Sequence, residues 1–436
     1  MPFLAHGGNH EHQRRINCAA LHQSAGQLRS TPHSGYHYDG RKGRFFEGWY
    51  FKVTLPGEGQ SFALIYSIED PAGNTAQSGV GAQVMGPDDS YLLQYGKDVR
   101  SFWADPHALA LGACFRPRGA GRPAAPLGRM VPEAHFNAAV EEGYQASLTW
   151  HQGALVADEA GAAGNLPSTV LGARWAFSVR PVSGWGAAHE RQRATAGWLA
   201  ALPVFEPHWQ IVMAQGRATG WIEWGGQRYD FEDAPSYAEK NWGGGFPSRW
   251  FWVQCEAFEG EPDAALTSVG ARRGVLNLPG VEEDVGLIGI HWRGRFIELV
   301  PWNGSVSWEV APWGSWRIFA RSSAYEALVE ATCERSGTPL RAPTATDGLA
   351  PFCRDSFNGQ VRMRVWERDS SGERGAAPMI DTRSSSCAVE VGGGPWWDTW
   401  RTTAEMKEPL RSLVQLPVDA EGLASRLPKG LRPPGL

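Results

Sequence analysis

Cysteine is scarce: six of 436 residues, at positions 18, 114, 255, 333, 353 and 387, with no two in a CxxC pair. No His/Cys group has the spacing of a zinc site, so the thiols read as reduced and no disulfide framework is expected in a chain this long. Long hydrophobic runs are missing too; no stretch approaches the roughly 20 apolar residues of a membrane-spanning helix. The first thirty residues lack the apolar core of a secretory signal, and their three arginines against the single acid Glu11 fit the remains of a transit peptide. Charge is sparse, with 20% charged residues and a net charge of -5, which argues against a general phosphate-binding surface and against nucleic acid as a partner. GxSxG, P-loop, dinucleotide-fingerprint and HExxH motifs are all absent, and Gly243-Gly244-Gly245 runs into Phe-Pro rather than a phosphate cradle. Hydride transfer, phosphoryl transfer and zinc hydrolysis thereby lose their usual sequence support.

Glycine, proline and tryptophan are abundant instead, at 53, 30 and 21 residues. The first two signal many turns. The tryptophans exceed what a core needs and suggest aromatic-lined cavities, although any single Trp is more simply a core residue. Length allows two to three domains or one large β unit, and 42% hydrophobic residues provide for a sizeable core.

Period-2 alternation dominates the chain. In "FFEGWYFKVTL" (45–55) one face carries Phe45, Glu47, Trp49, Phe51, Val53 and Leu55, the other Tyr50, Lys52 and Thr54. A turn at 56–60 and a second run at 61–70 complete a hairpin. Gly225-Gly226 turns a second hairpin over 219–233, Arg293-Gly294 a third over 286–302, and 359–393 holds two or three more strands. Helical spacing is confined to 131–144 and to 404–427, where Leu410, Leu413 and Val414 share a face and Pro409 and Pro417 break the run. The fold class is therefore mostly β, with antiparallel strands expected to close into two barrels in tandem, since closure removes edge strands. The boundaries are an extension at 1–30, a first barrel at 31–234, and a second at 235–436 with a short helical tail; 116–129 reads as a surface loop.

Carboxylates embedded in aromatic sequence carry the candidate chemistry. Glu239, in "YAEKNWGGG", shares a strand face with Tyr237 and Asn241, while Lys240 points away and Trp242 is near. Desolvation raises a carboxyl's pKa, and a carboxyl neutral near pH 7 serves as a general acid. Function and a merely structural junction weigh about equally here. Glu47, between Phe45 and Trp49, is the second choice and is more simply a buried ion pair. Asp70, before Pro71, reads as turn chemistry. Glu223 between Trp221 and Trp224 is ambiguous, and His37, His151, His208 and His291 are read as satisfied structural histidines.

Ordered motifs from about residue 30 onward, including "TPHSGYHYDG", "FFEGWYFKV", "FEPHWQ", "TGWIEWGG", "DAPSYAEKNWGGGFPSRWFWVQC", "VPWNG", "GTPLRAPT" and "VEVGGGPW", resemble the tocopherol cyclases of plants and algae. The resemblance implies tandem lipocalin-like barrels and a cofactor-free, metal-free ring closure. A phytyl-substituted benzoquinol is protonated at its side-chain double bond, and the phenol oxygen closes on the tertiary centre to give a chromanol. It also implies a plastid location, peripheral to a plastoglobule or thylakoid membrane or to a lipid-droplet surface. On these terms Glu239 is expected as proton donor, aided by Tyr237 and Asn241, with Glu47 second. Trp49, Tyr50, Trp242, Trp250 and Trp252 are expected to wall the substrate, inside a barrel. A prenyl-lipid carrier and an isoprenoid hydratase are the competing readings.

Overall fold

The computed structural model describes residues 31–436 except 42, 120–126, 202–206 and 276–279; the expected N-terminal extension and the centre of the 116–129 loop lie outside these. The described chain forms two eleven-stranded sheets, antiparallel throughout their ladders. The first holds β1 (Phe46–Leu55), β2 (Gln60–Glu69), β3 (Gly79–Met85), β4 (Tyr91–Gly96), β5 (Phe102–Ala104) and β6 (Ala110–Pro117). It continues with β7 (Val140–Ser147), β8 (Trp150–Val156), β9 (Gly172–Ser183), β10 (His208–Trp224) and β11 (Gln227–Gly243). The second holds β12 (Arg249–Cys255), β13 (Ala265–Gly274), β14 (Glu282–Trp292), β15 (Arg295–Leu299), β16 (Gly304–Val310) and β17 (Ser315–Ser322). Its remaining strands are β18 (Tyr325–Thr332), β19 (Thr338–Thr344), β20 (Gly348–Glu367), β21 (Ile380–Gly393) and β22 (Trp400–Glu405). Residues 235–243 thus belong to the first sheet, and the chain crosses to the second at 244–248.

The expected hairpins form where the turn residues allow them. Gly225 and Gly226 both take positive φ, 59° and 88°, as a tight two-residue turn requires, and Arg293-Gly294 do the same at 49° and 77°. The 131–144 stretch differs: α1 spans only Glu133–Ala139, and the chain then pairs with β6 as β7. The tail splits into α2 (Leu410–Val414) and α3 (Ala420–Ser425) on either side of Pro417.

Each sheet curls around its own core. Trp49, Phe51, Val53 and Leu55 of β1 pack with Phe62, Leu64, Tyr66 and Trp175 in the first, and Phe251, Val253, Trp308 and Trp400 anchor the second. The ladders do not close as anticipated. Between β4 and β5, the ends of the first sheet, no pairing exists among the described residues. The free edge of β4 is covered instead by the 157–170 segment: Tyr95 N–H donates to Asp158 O at 2.9 Å, Leu93 N–H to Ser168 Oγ at 3.0 Å and Tyr91 N–H to Thr169 Oγ1 at 2.8 Å. Covering an edge answers the same need as closing a barrel.

A third apolar cluster joins the sheets back to back, with Tyr91, Leu93, Trp185, Ile211 and Tyr237 from the first and Trp252, Leu287, Leu340 and Leu349 from the second. Polar groups lock the seam. Gln83 and the Arg341 backbone exchange two hydrogen bonds at 3.0 and 3.1 Å, and buried Lys52 pairs with Glu256 at 3.1 Å while Thr54 Oγ1 donates to the same carboxylate at 2.8 Å.

Candidate active site

Both faces of β1 are buried, so the alternation of its side chains divides them between two interiors. Odd-numbered residues enter the first core; Tyr50, Lys52 and Thr54 enter the seam. A cleft of about 580 Å³ opens within that seam. It lies between the sheets, whereas the sequence analysis placed the pocket inside a barrel. The barrel interiors are filled by their own side chains, and the backs of two curved sheets cannot fill the space between them everywhere.

β11 delivers Glu239 and Asn241 to this cleft, as their shared face requires. Tyr237, two residues earlier, donates its hydroxyl to Glu239 Oε2 at 2.6 Å. Burial pushes the Glu239 pKa up to about 7; hydrogen bonds from Tyr237 and Trp209 hold it down, and the nearby charge of Glu390 pushes it further up. Burial and the Glu239 carboxyl together keep Tyr237 a neutral phenol. From the opposite sheet come Trp250 and Trp252 of β12. The Trp252 ring meets Tyr50 edge-on with centroids 5.4 Å apart. Trp250 lies flat where a Cβ on Gly392 would stand, 2.0 Å from its ring, so residue 392 has to be glycine. Tyr50 Oη is buried with no hydrogen-bond partner among the described residues, whereas the Trp252 indole lies against the Tyr237–Glu239 pair and helps hold the Glu239 pKa down. A buried hydroxyl left unpaired in this way is free to bond a polar group that enters the cleft.

Two expected residues lie elsewhere, and a third only borders the cleft. Glu47 is fully buried on the opposite face of β1, ion-paired with Lys240 and accepting the His37 N–H at 2.8 Å. Burial raises its pKa, and Lys240 and the His37 N–H pull it back. Strand alternation puts this ion pair on the side of β1 away from Tyr50, and Glu47 does not border the cleft. Trp242 shares the Lys240 face and stacks on His37 with centroids 3.8 Å apart, outside the cleft. Trp49 borders the cleft, but its ring packs against Tyr36 and Phe102 in the first core.

The remaining polar residues have structural places. Asp70 accepts the Phe45 N–H at 3.0 Å and the Thr75 hydroxyl at 2.8 Å, closing its turn. His208 stacks on Trp242, His151 on Phe177, and His291 bonds Gly186 O at 2.9 Å.

Sequence reasoning passed over Trp209, Glu390 and Asp355. Glu390 borders the cleft and takes the Trp250 indole N–H. Its signal is the alternation in "VEVGG": Val389 and Val391 face the second core, so Glu390 faces away from it. Asp355, its cross-strand neighbour on β20, is fully buried. At the open end of the cleft, Leu410 and Leu413 of α2 form the rim, 60% and 47% exposed.

Comparison with known proteins places this arrangement. Residues 43–393 match the family model described as tocopherol cyclase-like. A probable chloroplastic tocopherol cyclase of Oryza sativa subsp. japonica is 46% identical over 419 residues, 93% of this chain and 87% of that protein. The chloroplastic tocopherol cyclase of Zea mays is 46% identical over 420 residues, 93% of this chain and 86% of its own length. Among solved structures, CghA aligns with a TM-score of 0.44 at 8% identity over 81% of this chain and 90% of its own. A putative AttH from Nitrosomonas europaea aligns with a TM-score of 0.44 at 11% identity over 83% and 95%. With the family model spanning most of the chain and two relatives at this identity over nearly all of it, the chain belongs to the tocopherol cyclase family.

Proposed function

We propose that the protein closes the chromanol ring of a prenylated benzoquinol, and that Glu239 supplies the proton. The observation that carries this reading is a buried carboxyl, held by a tyrosine hydroxyl and faced by indole rings in one apolar cleft, where burial pushes its pKa up to about 7. Protonating an isolated alkene demands a neutral acid, and burial provides one at neutral pH. The tertiary cation that forms needs stabilisation that is not nucleophilic. The faces of Trp209, Trp250 and Trp252 offer it, at roughly 0.5–2 kcal/mol per contact. Holding the phenol oxygen over the cation is worth roughly 7–11 kcal/mol of the barrier. Tyr50 Oη hydrogen-bonds a quinol oxygen and fixes the head group at the buried end. The prenyl tail runs toward the apolar rim.

The rim also suggests how the substrate arrives. Leu410 and Leu413, with exposed Leu416, Leu423 and Leu431 beyond, rest on a lipid surface and pass the tail from it into the cleft. The relatives' chloroplastic names support a plastid setting for that surface.

The deciding experiment incubates purified protein with a reduced phytyl-quinol and separates the products. A chromanol isomeric with the substrate is expected, and lost in Glu239→Gln. A product heavier by one water makes the protein a hydratase; tight binding without turnover makes it a carrier.

A further inference from the structure

Ring closure moves two protons, and Glu239 accounts for one. The phenol loses its hydrogen as the carbon–oxygen bond forms, and an acceptor within the cleft speeds that loss.

Glu390 stands across the seam from Glu239. It sits on β21 between Trp252 of β12 and Asp355 of β20, both directly opposite it in register. The Trp250 indole N–H donates to its Oε1, which fixes the carboxylate over the cleft. The titratable groups facing it are Cys353 and Asp355 from β20, Tyr50 from β1 and Glu239 from β11, while Lys52 and Asp89 act on Asp355 from the far side. Asp355 is fully buried, and no side chain among the described residues donates a hydrogen bond to either of its carboxyl oxygens. Two carboxyls set opposite each other on adjacent strands do not both ionise. Asp355 keeps the proton: burial and the Glu390 and Asp89 charges hold its pKa well up, against the smaller pull of Lys52 and the Ser356 N–H. Glu390, with an indole N–H on its oxygen, takes the charge, and burial brings its own pKa up to about 7.

We propose that Glu390 is the general base of the reaction, receiving the phenol hydrogen while Glu239 acts as the acid from the other wall of the cleft. This rests on the reading of Glu239 above. The Glu239 O–H bond breaks as a C–H bond forms at the alkene. The phenol O–H bond then breaks as the C–O bond forms, and its proton passes to the Glu390 carboxylate. The pair ends with its protons exchanged, and solvent resets both groups once product leaves. No net proton is consumed, as an isomerisation requires.

The test is a pH–rate profile of the full chain and of Glu390→Gln, with reduced phytyl-quinol as substrate and binding followed by tryptophan quenching. The parent is expected to give a bell, its acid limb from Glu390 and its alkaline limb from Glu239. In Glu390→Gln, kcat is expected to fall about 10²–10⁴-fold with KM within threefold. The acid limb should vanish, and the alkaline limb should move to lower pH because the charge that raises Glu239 is gone. Turnover within threefold of the parent, or an intact acid limb, overturns the proposal. If the amide variant does not fold, Glu390→Asp replaces it: a displaced acid limb supports the base role and an unchanged profile overturns it. An inactive Glu239→Gln beside an active Glu390→Gln removes only the base. Activity in both removes the acid as well.

Discussion

Glu239 has hydrogen-bond donors around it, Tyr237, Trp209 and Trp252, but none is a cation. Its pKa of about 7 stands above the ordinary 4.5. Between those values the folded chain holds a proton that the unfolded chain has released, so stability from this site is complete below pH 4.5, falls as pH rises toward 7, and is level beyond. Glu239→Gln removes that titration. The variant is expected to melt higher than the parent at pH 8 and at the same temperature near pH 4.5, while turnover at neutral pH falls by about 10²–10⁴-fold. Thermal melts at the two pH values check the first part; a variant destabilised equally at both would mark the carboxyl as structural. Glu47 should behave in the opposite way. Glu47→Gln strands the buried Lys240 ammonium and is expected to cost about 3–5 kcal/mol of stability in denaturant melts. The alkaline limb of the pH–rate profile, measured on the folded fraction, should stay where it is in the parent.

At the scale of elements, the strands were legible and their surroundings were not. Alternation in β1 correctly separated Glu47 and Trp49 from Tyr50 and Lys52, because side-chain direction in a strand is local geometry. It could not say that the polar-looking face was buried too. Lys52 and Thr54 both meet Glu256 next to the other sheet, a partner some two hundred residues away that no local pattern announces. The same limit misplaced Trp242 and hid Glu390, whose position depends on which sheet lies opposite. The 131–144 helix was overextended because β7 is fixed by its pairing with β6 rather than by its own propensity. The short tail was read well, since Pro417 acts locally. Its function can be tested directly. α2 is tied to the body through the Trp198 indole N–H to Val414 O at 3.1 Å, so its leucines can be changed without freeing it. Leu410→Ser with Leu413→Ser is expected to lower turnover several-fold on quinol carried in vesicles and to leave turnover on detergent-dispersed quinol near the parental rate. An equal loss in both would tie the leucines to the cleft rather than to lipid access.

For the whole molecule, the seam between the sheets sets the outcome of the chemistry. A cation made in the cleft has two fates, attack by the phenol and attack by water, and only exclusion of water protects the first. The seam is held by apolar packing and by a few buried polar links, among them Lys52–Glu256–Thr54, which ties β1 to the residue that follows β12. Glu256 does not border the cleft, so changing it leaves the acid, the indoles and the rim in place. Glu256→Ala leaves the Lys52 charge buried without its partner, which costs about 3–5 kcal/mol if the site stays shut. Water entering along β1 relieves that cost, so the variant is expected to trade dryness for stability. Two measurements follow. The melting temperature should fall, and the product mixture should gain a hydrated quinol, heavier than the chromanol by one water, at the expense of cyclised product. Lys52→Met, which removes the charge and restores apolar contact, should return the double variant to a mainly cyclic product. A lower melting temperature with an unchanged product ratio would show that the seam holds the fold together but does not keep the cleft dry.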